Sequence, residues 1–185
     1  MATVKDRYGR LSIIIHWATL VLLIAVYACI ELRELYPRGS EIREALKSWH
    51  YMLGLTVFFL VWVRITGRLL VKAPPIIPAA PKWQLMIANT VELALYALMI
   101  ALPLLGWIML SAEGEAIPFF GLQLPALVGA NDALAERMKE VHQTLATGGY
   151  FVIGLHAIAA LFHHYVRRDN TLRRMTLSPR EQARH

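Results

Sequence analysis

From Val141 to Val166 the chain runs for 26 residues without an Asp, Glu, Lys or Arg, and roughly 20 apolar residues suffice to carry a helix across a bilayer. This stretch predicts a transmembrane helix. That commits the rest of the chain to an architecture in which every backbone polar group within lipid is satisfied internally. Within the same run lie His142, His156, His163 and His164. An imidazole in hydrocarbon costs free energy unless a partner uses its nitrogen lone pair, so each of the four needs one.

Their spacing suggests what the partner is. His142 and His156 are fourteen residues apart, four turns, so they leave the helix on nearly the same face about 21 Å apart along its axis. That arrangement fits two sites stacked near opposite membrane surfaces. Gly149 lies midway on this face, Gly148 beside it and Gly154 beyond, and residues this small open a groove for a flat, bulky group. A porphyrin is such a group. Histidines that merely bond between packed helices would account for one of these positions, but not for a periodic set.

Three further spans complete the chain. Leu11–Ile30 is uncharged and carries His16; Trp49 and His50 open a second apolar run; a third run contains Pro103 and Gly106 and, in its first half, Glu92. Hydrophobic residues make up 57% of the 185 residues and mean hydropathy is +0.46, values that place the chain with polytopic membrane proteins. The expectation is one domain over residues 1–185, an all-α, integral membrane four-helix bundle with helices at about 11–31, 48–70, 84–110 and 140–167. The first run is too long for a cleavable signal peptide and lacks a small-residue cleavage site. Between the second and third spans, KAPPIIPAAPK reads as a stiff extended linker. The connections at residues 31–47 and 111–141 read as polar and turn-rich. Glu92 is expected to pair with Arg64 or Arg68 near the membrane surface. Cys29, the single cysteine, excludes an internal disulfide and any CxxCH attachment, so a haem would be held non-covalently.

The net charge of +6 would suit nucleic acid, but its distribution argues otherwise. Lys and Arg number three before the first span, four from Arg64 to Lys82 and six in the tail, against four and two in the other connections. The richer side of a membrane protein faces the cytoplasm. Both termini are therefore expected there, with no nucleic acid bound. His50 and His142 each lie three residues inside a lysine on the outer side and can face each other. His16 belongs to the inner half. Its partner is ambiguous by depth: His16 is about 9 Å from Arg10, His156 about 16 Å from Arg167, and His163 about 6 Å from Arg167. Choosing His163 would place two irons about 31 Å apart, close to the full hydrocarbon thickness and poor for electron transfer. Iron between two neutral imidazoles is six-coordinate and suited to passing electrons. A histidine-lined metal transporter is the competing class, but such a pathway normally adds carboxylates or thiols, and only Glu92 qualifies.

The segments RLSIIIHW, PPIIPAAP, LPLLGW and HQTLATGGYFVIGLHAIAALFHHYVRRDNTLRRM resemble the bacterial di-haem cytochrome b561 family, and within it the small four-helix members that act as superoxide oxidases. The resemblance spans nearly the whole chain. It implies two haems b bound between helices, the inner one held by His16 and His156 and the outer one by His50 and His142, which removes the ambiguity at His163. It further implies an inner-membrane, multi-pass electron carrier that oxidises superoxide at the periplasmic face and reduces ubiquinone near the cytoplasmic face. Some relatives carry His where this chain has Glu92. Arg33, Arg38, Arg43, Lys47, Arg137 and Lys139 are candidates for drawing superoxide inward, although the outer connections together carry a net charge of −3. A cytochrome subunit serving a periplasmic redox partner is the alternative. His163, seven residues beyond His156 on the same face, is the candidate proton donor of a quinone site. His164 is expected to face headgroups or another helix. The charge asymmetry makes one directly testable prediction: a cytoplasmic reporter fused at the C-terminus is active and a periplasmic one silent, and the opposite result would exchange the donor and acceptor faces.

Overall fold

The computed structural model describes residues 7–177, so Lys5, Arg180 and Arg184, counted above among the inner-face bases, lie outside the described residues. Four long helices account for most of it: α1 (Arg10–Leu32), α2 (Glu41–Leu70), α3 (Lys82–Glu113) and α4 (Asp132–Tyr165). All four are long and apolar enough to cross a membrane. Between α3 and α4 lies a small antiparallel hairpin of β1 (Ile117–Phe119) and β2 (Leu122–Leu124), with Ile117 opposite Leu124.

Two helices begin well before the apolar runs that announced them. Ser40 caps α2, its hydroxyl accepting from the Arg43 N–H at 3.4 Å, and Asn131 caps α4, accepting from the Leu134 N–H at 3.0 Å. Such caps each stabilise a helix start by about 1 kcal/mol. The first turns therefore form in the polar layer, and much of what hydropathy marks as connection is helix. The outer connection between α1 and α2 shrinks to a 3-10 turn, Arg33–Leu35, and a short loop to Ser40. At its C-terminus α3 stops at Gly114, whose φ of +70° is the left-handed geometry that glycine adopts without strain. Pro103 is accommodated inside α3.

Packing falls into two groups. Val57, Val61 and Met99 are buried at mid-bundle with Leu22, Val26, Leu95 and Tyr96 around them. Leu55, Leu110 and Ile117 form an outer cluster onto which the hairpin docks through Phe119 and Leu124. In lipid such contacts act through close packing rather than release of water. At the opposite end, backbone polar groups are tied together across the sequence. The Asn170 N–H donates to the Ile77 carbonyl (3.1 Å), and its side chain accepts from the Ile77 N–H (2.8 Å) and donates to the Pro75 carbonyl (3.2 Å). Trp17 Nε1 donates to the Met175 carbonyl at 2.8 Å, Tyr8 N–H to the Arg174 carbonyl at 3.1 Å, and the buried Arg174 guanidinium to the Pro74 carbonyl. The N-terminal segment, the proline-rich linker and the C-terminal segment thus share one end of the bundle, as four antiparallel spans require.

Gly149 serves a purpose that its place in the sequence did not reveal. A Cβ there would collide with the Tyr27 hydroxyl, which donates to the Ala146 carbonyl at 2.9 Å while its ring packs on Tyr150 at 4.3 Å. Tyr27 covers Gly149 on this side. Gly149→Ala is expected to lower the unfolding free energy by about 1–3 kcal/mol through overpacking, and adding Tyr27→Phe, which removes the obstructing oxygen, to recover part of the loss. Thermal unfolding of the single and double variants in detergent measures both.

Candidate functional site

The fold brings four of the candidate histidines together in two pairs. His50 from α2 and His142 from α4 have ring centres 6.2 Å apart; His16 from α1 and His156 from α4 have theirs 6.3 Å apart. Neither pair is internally hydrogen-bonded. A metal–nitrogen bond is about 2 Å, and with roughly 1 Å more from each nitrogen to its ring centre, a single metal ion between two imidazoles separates the centres by about 6 Å. Both pairs match that separation. Among the described residues no group of three or more His, Cys, Asp or Glu is placed to hold a metal ion, whereas a protein-only zinc site takes three or four such ligands. A site with two facing imidazoles leaves the ion's other positions open, as a planar macrocycle requires.

The outer pair opens on a cavity of about 430 Å³ between α1, α2, α3 and α4, within the size range of cofactor sites. Gly54 and Gly106 lie on its walls. Nothing would obstruct a Cβ at Gly54, while at Gly106 one would meet the His142 ring at 3.6 Å, in ordinary contact. His50 donates its Nδ1–H to the Val26 carbonyl at 3.0 Å. This bond places the ring proton on Nδ1 and leaves the Nε2 lone pair for a metal, the usual support for a ligating histidine. His142 Nδ1 is buried and makes no hydrogen bond of ordinary geometry among the described residues. The donor set and the cradle fit a haem with two axial imidazoles.

Sequence comparison agrees with this geometry. The profile described as prokaryotic cytochrome b561 matches residues 7–177. Cytochrome b561 homolog 1 of Escherichia coli (strain K12) is 38% identical over 92% of this chain and 97% of its own length. A Yersinia pestis protein named probable superoxide oxidase CybB is 41% identical over 91% and 95% respectively. Cytochrome b561 homolog 2 of Escherichia coli (strain K12) is 26% identical over 92% and 91%.

The chain belongs to the prokaryotic cytochrome b561 family.

As a member of that family it is a haem b-binding electron-transfer protein of the inner membrane. The environment of this cytochrome's inner pair differs from that of the outer one. Arg64 Nη2 lies 3.3 Å from His16 Nδ1, and its guanidinium stands 5.8 Å from the centre of the Tyr96 ring. Of the two arginines considered for Glu92, it is Arg68 that pairs with it, at 3.2 Å. Both partners are partly exposed, so the pair contributes at most about 1 kcal/mol.

His163 stands apart from both pairs. After Tyr165 the chain reverses through Arg168, at φ +56°, and the Asp169 N–H donates to the His163 carbonyl at 3.1 Å. Asp169, 5% exposed, is folded back so that its Oδ2 accepts from His163 Nδ1 at 2.5 Å and its Oδ1 from the Thr171 N–H at 2.9 Å. Burial by itself would push the Asp169 carboxyl up, but the bonds from His163 and Thr171 outweigh it and hold the group below the ordinary carboxylate range. His163 is thereby fixed with its proton on Nδ1 and its Nε2 available. His164 does not simply reach outward: its Nδ1 is buried with no hydrogen-bond partner among the described residues, and its ring packs on Tyr165 at 4.8 Å.

Sequence reasoning passed over four parts of this arrangement. Asp169 had a signal, being the sole acid between Val141 and Pro179. The Val26 carbonyl and the Tyr27–Tyr150 stack had none. Nor did the hydrogen bond from Tyr150 to Glu31, at 2.7 Å, show itself in the sequence.

Proposed function

We propose that this cytochrome holds two haems b and carries electrons from superoxide, on the periplasmic side, to ubiquinone near the cytoplasmic side. The observation that carries the reading is the pair of histidine pairs, alike in ring separation (6.2 and 6.3 Å) and set at different levels of the same bundle. His142 and His156 place the two levels about 21 Å apart along α4. His50 and His142 would hold the outer haem, His16 and His156 the inner one. Bound in this way, haem iron supplies one-electron transfer rather than oxygen binding. The Yersinia pestis relative named as a probable superoxide oxidase supports the choice of donor.

The chain's own groups support each end of the route. Arg33, Lys47 and Lys139, from the α1–α2 connection, α2 and α4, line the cavity that His50 and His142 share. They offer an anion such as superoxide a local attraction. Lys47 is partly neutralised by Glu115 at 3.3 Å, and Glu31 and Glu113 also line the cavity, so the attraction is short-ranged. At the cytoplasmic end two electrons and two protons must reach each quinone, while two superoxide anions each lose one electron and leave as dioxygen. His163 is the proton donor in this reading. Asp169 orients the ring, presents Nε2 toward the acceptor side and stabilises the charged imidazolium as it reloads from cytoplasmic water.

Pyridine haemochrome analysis is expected to give two haems b per chain, and a value near one or none in folded protein would defeat the di-haem reading. His50→Ala or His142→Ala is expected to remove mainly the outer haem, His16→Ala or His156→Ala mainly the inner. Loss of a haem in His163→Ala together with its retention in His156→Ala would reverse the inner assignment. For the quinone end, His163→Leu is expected to keep both haems and their reduction by superoxide while slowing reoxidation by a soluble quinone at least tenfold. Stopped-flow absorbance follows the rate, and an unchanged rate in haem-replete variant protein would remove His163 from the route.

A further inference from the structure

The two pairs are alike in separation and unlike in what stands behind them. His50 donates its Nδ1–H to a neutral carbonyl, that of Val26, at 3.0 Å. Such a bond makes the opposite ring nitrogen a stronger electron donor. His16 has no carbonyl at Nδ1; the guanidinium of Arg64 stands there at 3.3 Å. Arg64 follows His50 by fourteen residues, so one face of α2 presents a ligand to the outer level and a cation to the inner.

Arginine keeps its charge in any protein environment. Arg64 takes part in no ion pair among the described residues, because Glu92 is engaged by Arg68 at 3.2 Å and Arg64 is held over Tyr96 instead. Arginine only donates, so as a hydrogen bond this contact makes His16 Nδ1 the acceptor; with a metal on Nε2 the ring proton would lie on Nδ1 and Arg64 would act on the ring through its charge alone. The surroundings of the outer pair carry both signs, with Arg33, Lys47 and Lys139 set against Glu31 and Glu113, so they largely cancel. The inner level has a cation in contact with a ligand; Glu92, the acid whose charge also reaches His156, is engaged by Arg68.

We propose that Arg64 holds the reduction potential of the inner haem above that of the outer one, making inward electron transfer downhill. The proposal rests on the di-haem reading above. Its sign follows from charge: an iron that gains an electron loses one unit of positive charge, and a fixed cation nearby favours that state. The stronger donor at the outer level, His50, favours the oxidised state and lowers the outer potential. Both differences push electrons the same way. Axial-ligand hydrogen bonding and local charge are among the means by which a protein tunes haem; here α2 supplies one to each level. Arg64 is a positioning residue for charge and touches no reacting atom.

Spectroelectrochemical titration of the full-length, haem-loaded protein in nanodiscs tests this without superoxide or quinone. The unmodified protein is expected to titrate in two waves, the inner one at the higher potential, identified as the wave that persists in His142→Ala. Arg64→Gln, with Arg64→Met as a second neutral variant of similar length, is expected to shift the inner wave down by at least tenfold in the oxidised-to-reduced ratio, about 59 mV for one electron, and to leave the outer wave in place. Arg64→Lys, which keeps the charge, is expected to restore most of the shift. An unmoved inner wave in a neutral variant that retains two haems would overturn the proposal, and so would a Lys variant displaced as far as the Gln one. Fewer than two haems in the unmodified protein would instead overturn the di-haem reading, and this inference with it.

Discussion

An imidazole lone pair within hydrocarbon must be used, because no water is present to satisfy it. Much of this bundle follows from that requirement. Four histidines are arranged as two pairs whose ring centres stand 6.2 and 6.3 Å apart, too far to bond each other and suitably placed to share a metal. α4 contributes to both pairs and so fixes their separation, while α1 and α2 each contribute to one. α3 contributes no histidine but brings Gly106 against the His142 ring and Tyr96 beneath Arg64. Its part is to position what the other three helices carry.

The same economy of polar groups shapes the two ends. At one end the hairpin seals the bundle with apolar side chains, Ile117, Phe119 and Leu124, over Leu55 and Leu110. At the other end the proline-rich linker has few N–H groups of its own, and its carbonyls receive the Asn170 amide and the Arg174 guanidinium. A buried acceptor left without a donor would cost about 1–3 kcal/mol. The tail residues that relieve this cost also carry Asp169 back onto His163, so closing the bundle and orienting that histidine are consequences of one chain reversal.

The supports behind the histidines distinguish two pairs that are otherwise alike. Two identical ligand sets would hold equivalent haems and leave electron flow to be set only by donor and acceptor. A carbonyl behind His50 and a guanidinium behind His16 make the two levels electrically unlike. In a medium of low polarisability a single charge decides more than it would in water.

The spans, their number and the shared face of His142 and His156 were legible in the sequence, because hydrophobic length and the 3.6-residue period are local properties that folding in lipid cannot override; the partner of His16 was not, since depth left His156 and His163 open and only the family resemblance chose between them. The family was legible too, through motifs that surround those histidines. Helix starts were not: hydropathy marks where a helix enters lipid, whereas Ser40 and Asn131 start α2 and α4 in the polar layer beyond it. Partners across the bundle were equally hidden. Glu92 had two arginines within reach by sequence, and only the rotation of α2 against α3 gave it Arg68 and left Arg64 to His16. The small residue at Gly149 suggested room for a flat ligand, and it does line the cavity, but the Tyr27 hydroxyl that α1 sets directly over it was not foreseeable. Periodicity along one helix determines which face a residue occupies; what meets that face depends on the rotation and depth of its neighbours, which only the packed bundle decides.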